Sequence, residues 1–176
     1  MTKSILISAT LLTSAALSFA GNPQSPSAAT SVTIAGKTIS IKYSAPSLRG
    51  RQMFGPDGRI SKDPTWPVWR AGADDATALH TDADLVINGL NVPKGDYTVF
   101  VLVNVNPWQL IINKQTKQWG LEYSAAQDLG RVPMTIMKPA APIETFKITL
   151  SAAGGNKGKL QMEWENVIAS VPFSVK

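Results

Sequence analysis

Apolar and polar residues alternate with a period of two along most of residues 31–176, the pattern of strands with one face on a core. Val32 and Ile34, a turn at Ala35–Gly36, then Ile39, Ile41 and Tyr43 alternating with Ser40 and Lys42 predict a half-buried hairpin. Strand signals return at Ala76–Thr81 and Leu85–Ile87, followed by Gly89 and the turn Pro93–Asp96. The strongest run puts Tyr97, Val99, Val101, Val103 and Val105 on one face and Thr98, Phe100, Leu102 and Asn104 on the other, which predicts a central strand buried on both sides. Asn106–Pro107 then turns the chain into an antiparallel partner, Trp108–Asn113. Near the C-terminus Phe146, Ile148 and Leu150 alternate, a Gly-rich loop covers Ser151–Lys159, and Leu160, Met162 and Trp164 form the return. Val167, Ala169, Val171, Phe173 and Val175 make a final strand, with Pro172 predicting an edge position.

Two stretches break the pattern. Ser44–Pro67 holds Pro46, Pro56, Pro64 and Pro67 and a tight turn at Pro56–Gly58, so it reads as one long irregular connection of the kind that tends to carry function. Gln118–Arg131 has no clear period, though Ser124–Leu129 can make one helical turn. No segment sustains a helical period and no repeat of fixed length is visible. About nine short strands with Gly/Pro turns predict an all-β antiparallel sandwich, a jelly-roll path being one arrangement it allows.

The N-terminus changes the picture of where this domain works. Lys3, the apolar run Ile5–Leu17, and Ser18 and Ala20 flanking Phe19 read as a secretory signal peptide over residues 1–20. Cleavage after Ala20 leaves 176 − 20 = 156 residues, exported to the periplasm or secreted. Residues 21–30 read as a flexible leader and 31–176 as a single domain, long enough for a substantial core. After the signal no second apolar run of about 18 residues follows, so no integral membrane segment is expected.

Cysteine is absent, which removes disulfides and thiol chemistry. Of 17 basic and 12 acidic side chains, loss of Lys3 leaves 16 against 12, a mild +4, with neither a basic helix nor a Lys/Arg run; no nucleic-acid partner is expected. A single histidine and no H-E-x-x-H pattern argue against a zinc site, and no metal is assigned. Neither a phosphate-binding loop nor a dinucleotide fingerprint is present, so no cofactor is expected, and no G-x-S-x-G elbow marks a nucleophile.

Candidate chemistry concentrates in Trp66–Thr77, WPVWRAGADDAT, where a polar cluster sits beside two large rings. Arg70, with Arg49 and Arg51 of the long loop, presents planar forks suited to an anion; the competing reading is an internal salt bridge from Arg70 to Asp74 or Asp75. Asp74 and Asp75 are adjacent and point apart on an extended chain, so a glycosidase pair would need one of them with a distant acid such as Glu122, and at least one reads better as a turn former. Asp82 and Asp84 lie near His80, which alternates with Ala76 and Ala78 on one strand face as a structural histidine or a general base. Trp66, Trp69, Trp108, Trp119 and Tyr123, with Asn113, could build a platform for a sugar or an apolar ligand; Trp69, Trp108 and Trp164 are expected in the core and Trp119 as a pocket wall.

Tyr43–Gly55 (YSAPSLRGRQMFG), Val68–Thr77 (VWRAGADDAT), the GDYTVF run from Gly95, Trp108–Gly120 (WQLIINKQTKQWG) and a C-terminal strand with Trp164 together resemble the DUF2911 family of exported bacterial proteins. Asp74 and Asp75 stand where that family typically reads Asn and Glu. The resemblance implies an exported β-rich domain and no assigned activity. The residues themselves favour a non-catalytic module binding a small molecule or glycan through Arg49, Arg51, Arg70, Asp74, Asp75, His80, Asn113 and Trp119. The rivals are a hydrolase using Asp75 or His80 with arginine support for a developing anion, and a purely structural or protein-interaction domain with the long loop folded back as a lid.

Overall fold

The computed structural model describes residues 25–176; the signal-peptide reading over residues 1–20 lies outside the described residues. Strand β1 (Ser27–Ile34) pairs along its whole length with β2 (Lys37–Ser44), so the leader expected through residue 30 gives way to ordered strand at Ser27. Ser27, Ala28 and Ala29 look like linker by composition, but their backbone completes the β2 ladder and Ala28 packs on the core.

The chain continues through β3 (Val68–Trp69), β4 (Thr77–Thr81), β5 (Leu85–Ile87), β6 (Leu90–Val92), β7 (Gly95–Leu102) and β8 (Gln109–Asn113). It ends with β9 (Asp128–Pro133), β10 (Thr135–Met137), β11 (Ile143–Ala152), β12 (Lys157–Glu165) and β13 (Val167–Val175). Thirteen strands among the described residues thus replace the nine expected, because β3, β6 and β10 are two or three residues long and β9 carries little apolar signal. All pair antiparallel.

One sheet runs β1-β2-β4-β7-β8-β9 with β3 on β7; the other runs β11-β12-β13-β5-β6 with β10 on β13. Their facing sides carry the core, including Ile39, Ile41, Leu79, Val99, Val101 and Ile112 from the first and Phe146, Ile148, Leu160, Met162 and Val171 from the second. The sheets meet along their margins, where the Leu150 amide donates to Thr30 Oγ1 at 3.1 Å. At the opposite margin Gly130 packs on Leu90 so closely that a Cβ there would lie 2.5 Å from the leucine. The sandwich reading holds.

β7 is central and buried on both faces as expected, though it ends at Leu102 rather than Val105. The edge reading of β13 is wrong: β12 flanks one side of it, β10 and β5 the other. Pro172 is tolerated there because the β10 ladder covers residues 168–170 and the β5 ladder residues 173–175, leaving a gap at 172. Its carbonyl, on the same side as its missing N–H, accepts the Asn88 amide at 3.1 Å instead.

The irregular stretch Ser44–Pro67 folds onto the sandwich with one short 3₁₀ turn at Arg59–Lys62 and adds Leu48, Met53 and Ile60 to the core. Phe54 sits edge-on to Trp69 (5.3 Å between ring centres) and Trp164 (5.9 Å) and tilted against Trp108 at 4.8 Å. Trp69 and Trp164 stack at 5.8 Å and are buried as expected; Trp108 is only partly buried.

Candidate functional site

The segment around Arg70 is built by backbone that only certain residues allow. Ala71 (φ 51°) and Asp74 (φ 58°) take left-handed conformations, and Gly72 at φ 155° lies against Ser44, where a Cβ would come within 2.9 Å of its carbonyl oxygen. The turn is locked from inside: Trp69 Nε1 donates to the Gly72 carbonyl at 3.3 Å and Thr77 Oγ1 to the Ala71 carbonyl at 2.7 Å. Asp74 is a turn former, its Oδ2 accepting the Ser25 amide at 3.1 Å and its carbonyl the Gly120 amide at 3.0 Å.

Arg70 does not pair with Asp74 or Asp75 as the salt-bridge reading had it. Its Nη1 donates to Asp63 Oδ2 at 3.5 Å, and Arg59 donates to the other oxygen of Asp63 at 3.4 Å. Burial, partly offset by Asp63 and Asp74, lowers the guanidinium pKa, and its Nε is buried with no partner among the described residues. Gly120 seals the stem: a Cβ there would collide with the Arg70 side chain. Arg51 likewise serves its own loop, donating from Nε to the Leu48 carbonyl (2.9 Å) and from Nη2 to that of Ser47 (2.8 Å). The Arg49 amide donates to Glu144 Oε1 at 2.9 Å, with the residue exposed in the left-handed region. The three arginines therefore do not converge on one anion.

Asn113, wholly buried, donates to the Ser124 carbonyl and to Asp128 Oδ1, both at 2.9 Å, and accepts the Gln115 amide at 3.0 Å. It fixes the segment after β8. Asp128 also accepts from Tyr123 (2.7 Å) and Arg131 (2.8 and 3.0 Å). Burial first, then the bond to Asp128, pushes the Tyr123 hydroxyl up to about 12.

Two of the sequence candidates, Asp75 and His80, line the same open groove, about 820 Å³, on the outer face of the seven-stranded sheet. Register explains it. On β2 the outward positions are Ser40, Lys42 and Ser44; on β4 they are Ala78 and His80, with Ser40 opposite His80 and Lys42 opposite Ala78. Thr116, Lys117 and Gln118 form a wall, held over β7 because Gln118 Nε2 donates to Thr98 Oγ1 at 3.0 Å and Thr98 Oγ1 to the Gln115 carbonyl at 2.9 Å. The Gln118 oxygen is buried without a donor among the described residues. Asp75 marks one end of the groove; Trp119, expected as a pocket wall, is 44% exposed and bridges Asp75 but is not among the lining residues. Of the remaining acids, Asp84 holds the Lys94 amide at 2.8 Å, and Glu122 lies outside the groove lining.

At the other end His80 Nδ1 lies 2.7 Å from Asp96 Oδ1 and its Nε2 3.1 Å from Asp82 Oδ1. Hydrogen bonds to Asp96 and then Asp82 raise the imidazole pKa, and the bond from His80 lowers that of Asp82. Both bonds can form together only when both ring nitrogens carry protons, so the row favours an imidazolium. Lys42, Ser40, Ser44 and Gln118 were missed because nothing in their local sequence separates them from any solvated strand or loop. Among the described residues no group of three or more His, Cys, Asp or Glu side chains is placed to hold a metal ion, and no helix is long and apolar enough to cross a membrane.

Compared with known proteins, the chain matches one family model, DUF2911, a protein of unknown function, over residues 25–173. No curated protein and no solved structure matches it. The match spans most of the sequence, and the chain belongs to the DUF2911 family.

Proposed function

We propose that this DUF2911 member is an exported, non-catalytic binding domain whose ligand lies in the groove over β2 and β4. The observation that carries the reading is the groove itself: about 820 Å³, within the range of small-molecule pockets, with polar side chains including Ser40, Lys42, Asp75 and His80 around a floor of small ones. A non-catalytic role is supported by His80, whose two nitrogens are both engaged by carboxylates, leaving no free lone pair for a general base. Export rests on the pattern of residues 1–20.

The test is thermal unfolding against sugars, phosphates, carboxylates and divalent ions, with Ala78→Trp alongside. Ala78 is exposed on the groove floor, so an indole there fills the site without entering the core. A ligand at about 100 times its dissociation constant adds roughly 2.7 kcal/mol, which raises the melting temperature by several degrees at this size. A shift that disappears in folded Ala78→Trp is expected; silence across the panel, or a shift that Ala78→Trp leaves intact, overturns the reading. For export, the full chain expressed in a bacterium should be recovered from the periplasm or medium with Gly21 as its first residue, and cytoplasmic protein retaining the leader would count against it.

A further inference from the structure

We infer that the groove's ligand is an uncharged di- or trisaccharide, an inference that rests on the binding role proposed above. Length is the first argument. The groove runs along β4 from Asp75 to His80, five residues of extended chain or roughly 17 Å. That is longer than a single sugar ring or a simple anion and suits a short chain of linked rings.

Charge is the second. Among the lining residues Lys42, Lys117 and His80 stand against Asp75 and Asp96, and His80 also pairs with Asp82, which lies outside the lining, so its charge is already taken by two carboxylates. With Asp82 counted, three cationic groups stand against three anionic ones, a balance that gives a polyanion or polycation no strong net attraction. What it offers in quantity is short-range hydrogen bonding of both senses, from serine hydroxyls, carboxylates and ammonium groups, which matches a polyhydroxylated molecule. The apolar part of the lining is Ala76 and Ala78 together with the largely buried Tyr43, Leu79 and Tyr97, so an apolar ligand meets little exposed bulk.

The wall and the ring supply the third. Gln118, 6% exposed, is among the groove's lining residues, and its buried side-chain oxygen has no donor among the described residues. A buried amide oxygen left unpaired is costly, and a ligand hydroxyl is a donor of the right kind. Trp119 stands opposite Asp75 in an antiparallel bridge, and directly paired residues project to the same face. Trp119 does not itself line the groove, but it is 44% exposed and next in sequence to Gln118, which does, so a sugar extending past Asp75 would meet its indole.

The test titrates the protein with cellotriose, chitotriose and maltotriose beside glucose, inorganic phosphate and citrate, reading tryptophan fluorescence and heat. At least one trisaccharide should bind more tightly than glucose, with an affinity unchanged between low and high salt. Trp119→Ala, shown folded by its unfolding transition, should weaken that binding roughly tenfold and reduce the fluorescence change. Salt-sensitive binding of phosphate or citrate with no trisaccharide bound overturns the saccharide and leaves the groove as a binding site. Trisaccharide binding that survives both Ala78→Trp and Trp119→Ala puts the sugar elsewhere and also overturns it, and silence of every probe sinks the binding role with it.

Discussion

The outer face of the seven-stranded sheet has two halves with opposite fates. Over β3, β7 and β8 it carries Val68, Phe100 and Ile111, which with Ala76 form a second, smaller core; Tyr123 and Leu102 pack against it, the Tyr123 ring 5.0 Å from that of Phe100. Over β2 and β4 the same face carries Ser40, Lys42, Ser44, Ala78 and His80 and stays open. Bulk decides which half is covered. Burying a phenylalanine and an isoleucine removes enough apolar area from water to hold the 118–124 segment down, whereas serines and alanines give a covering segment little to bury. The groove is therefore the half of the face that the side chains left shallow, and Ala76 belongs to both halves.

The sharpest way to break that comparison is to hollow the covered half. Phe100→Ala should cost about 3–5 kcal/mol, since the ring is wholly buried and the sheet around it cannot collapse. Ala78→Trp on the open half should stay within about 0.5 kcal/mol, as exposed substitutions usually do. Urea unfolding of the two variants reads both numbers, and equal costs would mean the halves are not distinct. Next in size is the polar buttress. Asn113→Ala strands the Gln115 amide and the Ser124 carbonyl and removes one donor from Asp128, a loss of about 2–3 kcal/mol. Tyr123→Phe keeps the ring over Phe100 but takes away the hydroxyl between Asp128 and Arg131, so about 1 kcal/mol is expected. A much larger loss would show that this bond, rather than the apolar contact, holds the cover in place.

How legible was this in the sequence? Alternation revealed the β1–β2 hairpin, the β7–β8 pair and the three C-terminal strands, because each places apolar residues on one face at every second position. It missed β9, where Asp128, Gly130 and Arg131 share six residues with one fully buried side chain, Val132. It misjudged Pro172, whose tolerance depends on a gap between two distant ladders. The polar cluster at Trp66–Thr77 was visible, but not that Asp63 from the long loop would be Arg70's partner. The groove was least legible of all. It is made by the smallness of Ala78, Ser40 and Ser44 on strands paired across forty residues of sequence, and an absence of bulk leaves no local signal.

The smallest effect belongs to the open end of the groove and is read by pH. The folded-state pKa of His80 is raised, mainly by Asp96 and then by Asp82. Its pairing therefore adds stability that is fully present below the unfolded value of about 6.5 and is lost as pH rises through the higher folded value. Asp82 is shifted the other way, by His80 first and then by the Thr38 amide at 3.2 Å, with Lys37 on the same strand adding a minor attraction. Its contribution is present above an unfolded value of about 3.9 and fades as pH falls through the lower folded one. The melting temperature of the wild type minus that of His80→Gln should thus be largest at about pH 5 to 6 and shrink toward pH 8. It should stay below the effect of Tyr123→Phe, because His80 and its partners are solvent-exposed and screened. A difference that does not change with pH would show that His80 stands on β4 as an ordinary polar strand residue. One that follows the predicted window ties the end of the groove to protonation: when the imidazolium loses its proton, one of Asp82 and Asp96 loses its donor and becomes a free acceptor at the groove's end.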